Sequence, residues 1–239
     1  MIKQIGKWIR NFILFFLLST VGAVILYRFI PVPFTPLMII RLFEQISEGK
    51  PLQLNKDWVS YDEINPSMSL AVVASEDQQF YYHFGIDPEA IQKALEYNEK
   101  KKGKRFRGAS TISQQTAKNV FLWPSRTYLR KGLEVYFTLL VELFWSKERI
   151  LEVYLNVVET GNGIYGVEAA SQTYFSKPAS KLNRSQSALI ATALPLPLKR
   201  RADRPTPYMV RRKAWVLRQM NNLGKIDWKK ESDKPGSGK

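Results

Sequence analysis

The chain has no cysteine and a single histidine, His83, among its 239 residues. The first absence excludes a thiol nucleophile, a disulfide framework and a cysteine-type zinc site. The second removes a histidine-rich metal centre. Acidic residues are also scarce: 21 stand against 36 lysines and arginines, a formal net charge of +15. Such an excess suits an anionic partner, whether nucleic acid, an anionic membrane or a phosphorylated substrate. No convincing series of alternating strands appears, nor any internal repeat. What remains is globular in composition, 45% apolar and 24% charged, and long enough for one substantial domain with an accessory segment.

The segment Phe12–Tyr27, "FILFFLLSTVGAVILY", carries no charge, and Lys3, Lys7 and Arg10 precede it. A spanning helix needs roughly 20 apolar residues, and Trp8, Ile9, Phe29 and Ile30 extend the run toward that length. The flanking charges predict a cytoplasmic N-terminus (1–11), an anchor over 12–30 and an exported body. A cleaved signal peptide is the alternative; the long apolar run and the absence of a clear small-x-small cleavage site favour the anchor. A body outside the cytoplasm rarely meets DNA, so nucleic acid is set aside in favour of lipid headgroups or a lipid-linked phosphate. Residues 31–50 read as a linker and membrane-proximal segment. Within it "PVPFTP" is stiff, and Leu37–Ile46 suits either a helix lying at the membrane surface or one docked on the main domain.

The main domain is expected over 51–224, mostly helical, with a polar tail over 225–239. Helical patterning covers Pro66–Phe80, Thr111–Phe121, Arg126–Trp145, Lys147–Asn156, Val167–Phe175, Arg184–Leu194 and Tyr208–Asn222. Ser146 is placed to cap the fourth of these, and Gly224 to stop the last.

Three stretches have the residues for chemistry. In "SLAVVASEDQQFYYHFG" (Ser69–Gly85), Glu76 and Asp77 fall at the C-terminal end of a helix, where the dipole disfavours a carboxylate. Phe80, Tyr81 and Tyr82 crowd them, and both effects push a carboxyl group toward holding its proton. That suits a general acid or base near neutral pH; a cap or a structural ion pair would use the same residues. His83 reads first as a structural hydrogen-bonding group.

In "RGASTISQQTAKN" (Arg107–Asn119), Thr111 and Gln114 fit a capping box, which leaves Gln115, Lys118 and Asn119 unexplained. A helix opened by Gly108 and small residues offers free N–H groups to an anion, with Lys118 one turn in. In "SRTYLRKGLEVYFTLLVELFW" (Ser125–Trp145), Arg126, Arg130 and Glu134 step by four. Their face continues into Leu133, Phe137, Leu140, Val141 and Phe144. This predicts a buried helix whose first turns line a polar cleft, with Lys131 placed to pair with Glu134; an ordinary surface ladder is the alternative.

"GNGIYG" matches the dinucleotide fingerprint by spacing, but a helix pattern precedes it where a strand is required. Its glycines read instead as a tight helix–loop–helix connection. The basic run between residues 100 and 107 stands just before the anion-binding stretch, where it could guide an anionic substrate.

Taken in order, "EDQQFYYHFG", "RGASTISQQTAKN", "RKGLE", "SKERILEVYLN" and "GNGIYGVEAASQTYF" resemble the motif series of the peptidoglycan glycosyltransferases, glycosyltransferase family 51, over about residues 61–208. Five ordered motifs make the resemblance specific. The chain looks like the monofunctional biosynthetic form, because it leaves no room for a transpeptidase domain. Ser47 and Lys50 form a Ser-x-x-Lys, but no Lys-Thr-Gly follows.

The resemblance implies a mainly α, lysozyme-like fold with a small membrane-proximal lobe. It also implies polymerisation of lipid II into glycan strands. By the same resemblance Glu76 deprotonates the acceptor 4-hydroxyl, Glu134 assists the donor site, and Lys118, Arg126, Arg130 and Lys131 lie near the diphosphate. The expected substrate-contacting set further holds Asp77, Phe80, His83, Gly108, Ser110, Thr111, Gln114, Gln115 and Asn119. Ser113 stands where threonine is common.

No dedicated metal cage is legible, though the resemblance allows for a divalent cation, Mg or Mn, at the diphosphate. It names lipid II, lipid-linked glycan and the membrane as partners, allows for cell-division or cell-wall synthesis proteins, and implies a bacterial inner-membrane location with a periplasmic catalytic domain. A glycan-cleaving lytic enzyme and a non-catalytic lipid-binding scaffold are the rival readings. The central expectation is one groove beside the bilayer, with Glu76 facing the cations across it.

Overall fold

The computed structural model describes residues 2–101 and 108–226. Most of the basic run expected between 100 and 107, and the tail from 227 onward, lie outside the described residues. The first helix, α1 (Ile2–Phe29), is largely exposed; its segment Lys3–Phe29 is, among the described residues, the one helix long and apolar enough to cross a membrane. Pro36, at the first position of α2 (Pro36–Ser47), and the Thr35 cap start the next helix after the proline-rich linker. Strand β1 (Asn55–Lys56) and a 3-10 turn at Tyr61–Glu63 lead into α3 (Pro66–Glu76) and α4 (Pro88–Lys100). Helices α5 (Ile112–Phe121), α6 (Tyr128–Phe144) and α7 (Lys147–Val157) follow, then strands β2 (Glu159–Gly161) and β3 (Ile164–Tyr165). The body closes with α8 (Val167–Phe175), α9 (Arg184–Ala193) and α10 (Pro207–Leu223).

Helix α3 is the axis of the domain. Every residue from Met68 to Ala74 is buried, and a helix apolar all round belongs inside a core. α9 and α10 pack on it, while α5, α6 and α7 form a second group. Ile150, Leu151, Val153, Tyr154 and Leu155 of α7 are fully enclosed. Asn156 ties this group to the approach segment by exchanging hydrogen bonds with the backbone of Val59 at 2.9 Å.

The small sheet has the order β1-β3-β2, with β3 parallel to β1 and antiparallel to β2. The glycine-rich stretch therefore forms a hairpin rather than the helix–loop–helix connection the sequence suggested. Strands of two or three residues are too short to show alternation. Gly163 (φ +64°) and Gly166 (φ +80°) sit so close to Gln53 and the Asn156 carbonyl that a Cβ would stand 2.5 and 2.7 Å away.

Two expected helices end earlier or start later. α3 stops at Glu76 rather than Phe80, and α6 begins at Tyr128, capped by Thr127, so Arg126 precedes it. α4 was not foreseen: Ala94 is its one buried residue, too little to print an apolar period.

The anchor helix is joined to the domain by more than chain connectivity. The Thr20 and Tyr136 hydroxyls share a hydrogen bond at 2.7 Å, and Trp145 donates Nε1–H to the Val24 carbonyl at 2.7 Å. Arg149 caps the end of α1 at the carbonyls of Tyr27 and Ile30. Helix α2 docks on the main domain, one of the two readings of the sequence. Met38 and Gln45 dock inward, where α2 meets α5, while Ile39, Phe43 and Ile46 face outward.

Candidate active site

The site is organised along one face of α5. Thr111, Gln115, Lys118, Asn119 and Leu122 recur at spacings of four, three, one and three, which places them in one stripe. At the N-terminal end of that stripe a cleft of about 580 Å³ is lined by Glu76, Asp77, Gly108, Ser110, Thr111 and Arg212, among others. At the C-terminal end a second cleft of about 430 Å³ is lined by Leu37, Lys118, Asn119, Arg126 and Arg130, among others. The single groove expected from sequence is thus divided into two clefts in line. Gln115 occupies the helix face between them, and the Glu76 charge still acts on Lys118 in the second cleft.

Glu76 is the last residue of α3, and Asp77 is its C-cap. Gln115 donates Nε2–H to Glu76 Oε2 at 3.3 Å, and Ser75 donates its hydroxyl to Oε1 at 3.3 Å. Burial pushes the Glu76 carboxyl above its ordinary value; the two hydrogen bonds and the positive Arg212 oppose that push without cancelling it. Tyr154 stands behind Gln115 and donates to its Oε1 at 3.3 Å. Burial, with Glu76 adding to it, holds the phenol well above its usual range and so keeps it protonated as a donor.

Two N–H groups at the helix start are taken by the protein's own side chains. The Ile112 N–H donates to Asp77 Oδ2 at 3.0 Å, and the Gln114 N–H donates to the Thr111 hydroxyl at 3.1 Å. The anion at this helix N-terminus is the protein's own Asp77. Gln114 returns its side chain to the Thr111 N–H and is buried, so its part is to cap α5.

Asp77 also accepts from His83 Nε2 at 3.1 and 3.0 Å. Phe80 is fully enclosed beneath the Lys147 ammonium, 4.7 Å from the ring centroid. Phe80 and His83, expected at the substrate, instead hold the loop 77–85 in shape; Asp77 both holds it and lines the cleft. The loop ends at Gly85 (φ +74°), whose carbonyl accepts the Thr111 hydroxyl at 2.6 Å.

Behind Arg130, which lines the second cleft, Glu134 is buried with both oxygens engaged, one by Arg130 and the other by Lys131 at 2.5 Å; Glu134 and Lys131 themselves are not among the residues lining it. Arg126 sits before α6 rather than on it, yet lines the same cleft as Arg130. Burial lowers the Lys118 amine from its ordinary value, and Arg130 and Lys131 add to this, while Glu134 and Glu76 oppose it. A divalent cation finds no protein cage here. Among the described residues no group of three or more His, Cys, Asp or Glu is suited to one. Glu134, on the same helix as Arg130, already serves two cations.

Sequence reasoning did not single out Tyr154, Arg212 or Trp215, the last two on a helix outside the motif series. It also missed Asp87, Glu89 and Lys93, which bring α4 to the Glu76 cleft.

A buried carboxylate of raised proton affinity and a group of cations, set toward opposite ends of α5, define the site of a group-transfer enzyme. The family model described as Transglycosylase matches residues 43–221, and the chain belongs to that family, with its mainly α, lysozyme-like domain. It is similar to the biosynthetic peptidoglycan transglycosylase of Bacteroides thetaiotaomicron, 52% identical over 225 residues, which cover 94% of this chain and 90% of the relative. The protein of the same name from Bdellovibrio bacteriovorus is 54% identical over 218 residues, 91% of this chain and 86% of the relative. That of Klebsiella oxytoca is 52% identical over 223 residues, 91% and 92% of the two chains.

Proposed function

We propose that this transglycosylase polymerises peptidoglycan in cell-wall synthesis, extending glycan strands from lipid II. Glu76 takes the proton from the 4-hydroxyl of the acceptor GlcNAc as that oxygen attacks C1 of the donor MurNAc. The bond from C1 to the α-linked undecaprenyl diphosphate breaks, its electron pair leaves with the diphosphate, and a β-1,4 linkage forms with inversion. Lys118, Arg126 and Arg130 meet the charge that develops on the leaving group, where fixed cations lower the barrier most. Glu134 holds Arg130 and Lys131 in place for that task.

The observation that carries the reading is the order along α5: a base with a raised proton affinity, then Lys118, then the cation-lined cleft. The relatives' names support the substrate class, and the outward apolar face of α2 beside the cation cleft suits a polyprenyl tail. The charges before α1 support a single-pass protein with its N-terminus in the cytoplasm and its domain in the periplasm, at the bacterial inner membrane.

The full chain, purified in detergent, is to be incubated with lipid II and its products resolved by length. Strands that a muramidase cuts to disaccharide units, absent with E76Q, are the expected result. Cleavage of finished glycan without strand formation would favour the lytic reading, and equal strand formation by E76Q would overturn the role of Glu76.

A further inference from the structure

Helix α10, which packs on α3, carries Arg211, Arg212, Lys213 and Arg218. Arg212 and Trp215 of this helix line the Glu76 cleft. The Arg212 guanidinium lies 3.7 Å from the centroid of the Trp215 ring, a stacked contact that fixes its plane. Nη2 also reaches toward the carbonyl of Ser75, the residue before Glu76, at 3.5 Å. The helix that ends in the base is therefore touched, one residue from that base, by a cation held rigid on an aromatic ring.

We propose that Arg212, seated on Trp215, is a positioning residue for Glu76: it faces the carboxylate from the α10 wall of the cleft and holds it in its proton-accepting form. The inference rests on the reading of Glu76 as the base. The charged surroundings give Arg212 a clear task. Asp77 on the end of α3 and Tyr154 on α7 face Glu76, and Asp87 and Glu89 beside α4 line the same cleft; the carboxylates among them disfavour another negative charge. Opposing them are the Gln115 amide and Lys118 from α5, Lys93 from α4, and Arg212, whose charge acts on Glu76 more strongly than any other. Lys118 is committed to the other cleft.

The test is the pH dependence of kcat/KM on lipid II for the full chain and three variants, R212M, R212K and W215L. R212M keeps a stem to cover Trp215 but removes the charge. Without that charge Glu76 holds its proton to higher pH, so the acid limb of the profile moves upward. Activity on the limb falls about tenfold for each unit of movement, while the alkaline plateau stays within about threefold of the parent. R212K, which keeps charge without the planar stack, is expected to move the limb less than R212M, and W215L to move it part of the way with Arg212 intact. If R212M does not fold, R212Q carries the same test.

An unmoved limb with a lowered plateau in the charge-removing variant would reduce Arg212 to a wall of the cleft and overturn the proposal. E76Q separates the two claims. If E76Q polymerises normally, the base assignment fails and this inference with it. If E76Q is inactive and the Arg212 variants leave the limb in place, this inference alone fails.

Discussion

Gln115 faces Glu76 with its amide nitrogen, at 3.3 Å from Oε2, because its amide oxygen is already claimed by Tyr154 at 3.3 Å. The amide thus has one orientation, donor toward the carboxylate. A hydrogen bond to the charged form favours that form, so this contact and the burial around Glu76 pull in opposite directions.

Removing the donor lets burial act alone. Q115L should move the acid limb of kcat/KM to higher pH, with a larger loss of activity at pH 6 than at pH 8. Y154F, which frees the amide to turn, should do the same to a smaller extent. E76Q should lower turnover by about 10²–10⁴-fold at every pH, the usual worth of a positioned base. Rates of strand formation across the pH range check all three; a uniform loss in Q115L would show that the amide only packs.

The same burial makes Glu76 costly to the fold. A carboxyl that binds its proton more tightly when folded adds no penalty below its unfolded value of about 4.3. As pH rises past that point, the folded state alone retains the proton and then must bury a charge, so stability falls until the raised folded value is passed. E76Q should therefore melt at a higher temperature than the parent near pH 7.5, with the gap closing near pH 4. Equal melting temperatures at pH 7.5 would mean that the carboxylate is well solvated.

Lys118 predicts the other limb. Burial and the neighbouring Arg130 and Lys131 favour its neutral form, so the amine loses its charge at a pH below that of an ordinary lysine. As it does, the leaving diphosphate loses a partner, and the rate falls on the alkaline side. K118M should cost about 10²–10³-fold in turnover, the scale of one lost donor at developing charge, and should flatten the alkaline fall. An alkaline limb that persists in K118M would belong to another group.

Much of this was legible beforehand. The α5 cap, the placing of two carboxylates toward the end of a helix and the Lys131–Glu134 pair are local features, decided within a few residues, and sequence carries them, though not the residue at which α3 stops. The walls of the Glu76 cleft are not local, since they depend on where α10 and α4 come to rest. Arg212 looked like any cation of a solvated helix face until α3 lay beneath it. Phe80 and His83 stood within a motif whose resemblance implied substrate contact, and the Lys147 that packs on the Phe80 ring and bonds the His83 carbonyl lies some 60 residues later. Thr111 and Gln114 stood open between cap and cleft; the cap holds both, and Thr111 also reaches the cleft.

That lysine carries a last prediction. Lys147 and Glu142 form a buried ion pair at 2.7 Å, Ser113 donates to the same carboxylate oxygen, and Lys147 also donates to the His83 carbonyl at 2.7 Å. K147M leaves Glu142 buried and without its cation, which should cost about 3–5 kcal/mol. Adding E142M removes the stranded charge but strands the Ser113 hydroxyl, at a remaining cost of about 1–3 kcal/mol. The triple change with S113A replaces the whole network by apolar groups and should recover most of the melting temperature. It cannot restore the donor to the His83 carbonyl, nor the ammonium over Phe80. The loop 77–85, whose first residue follows Glu76, should then exchange its amide hydrogens faster, and turnover should stay low although the protein is stable again. Recovery of both stability and turnover in the triple variant would mean that the network serves the core alone.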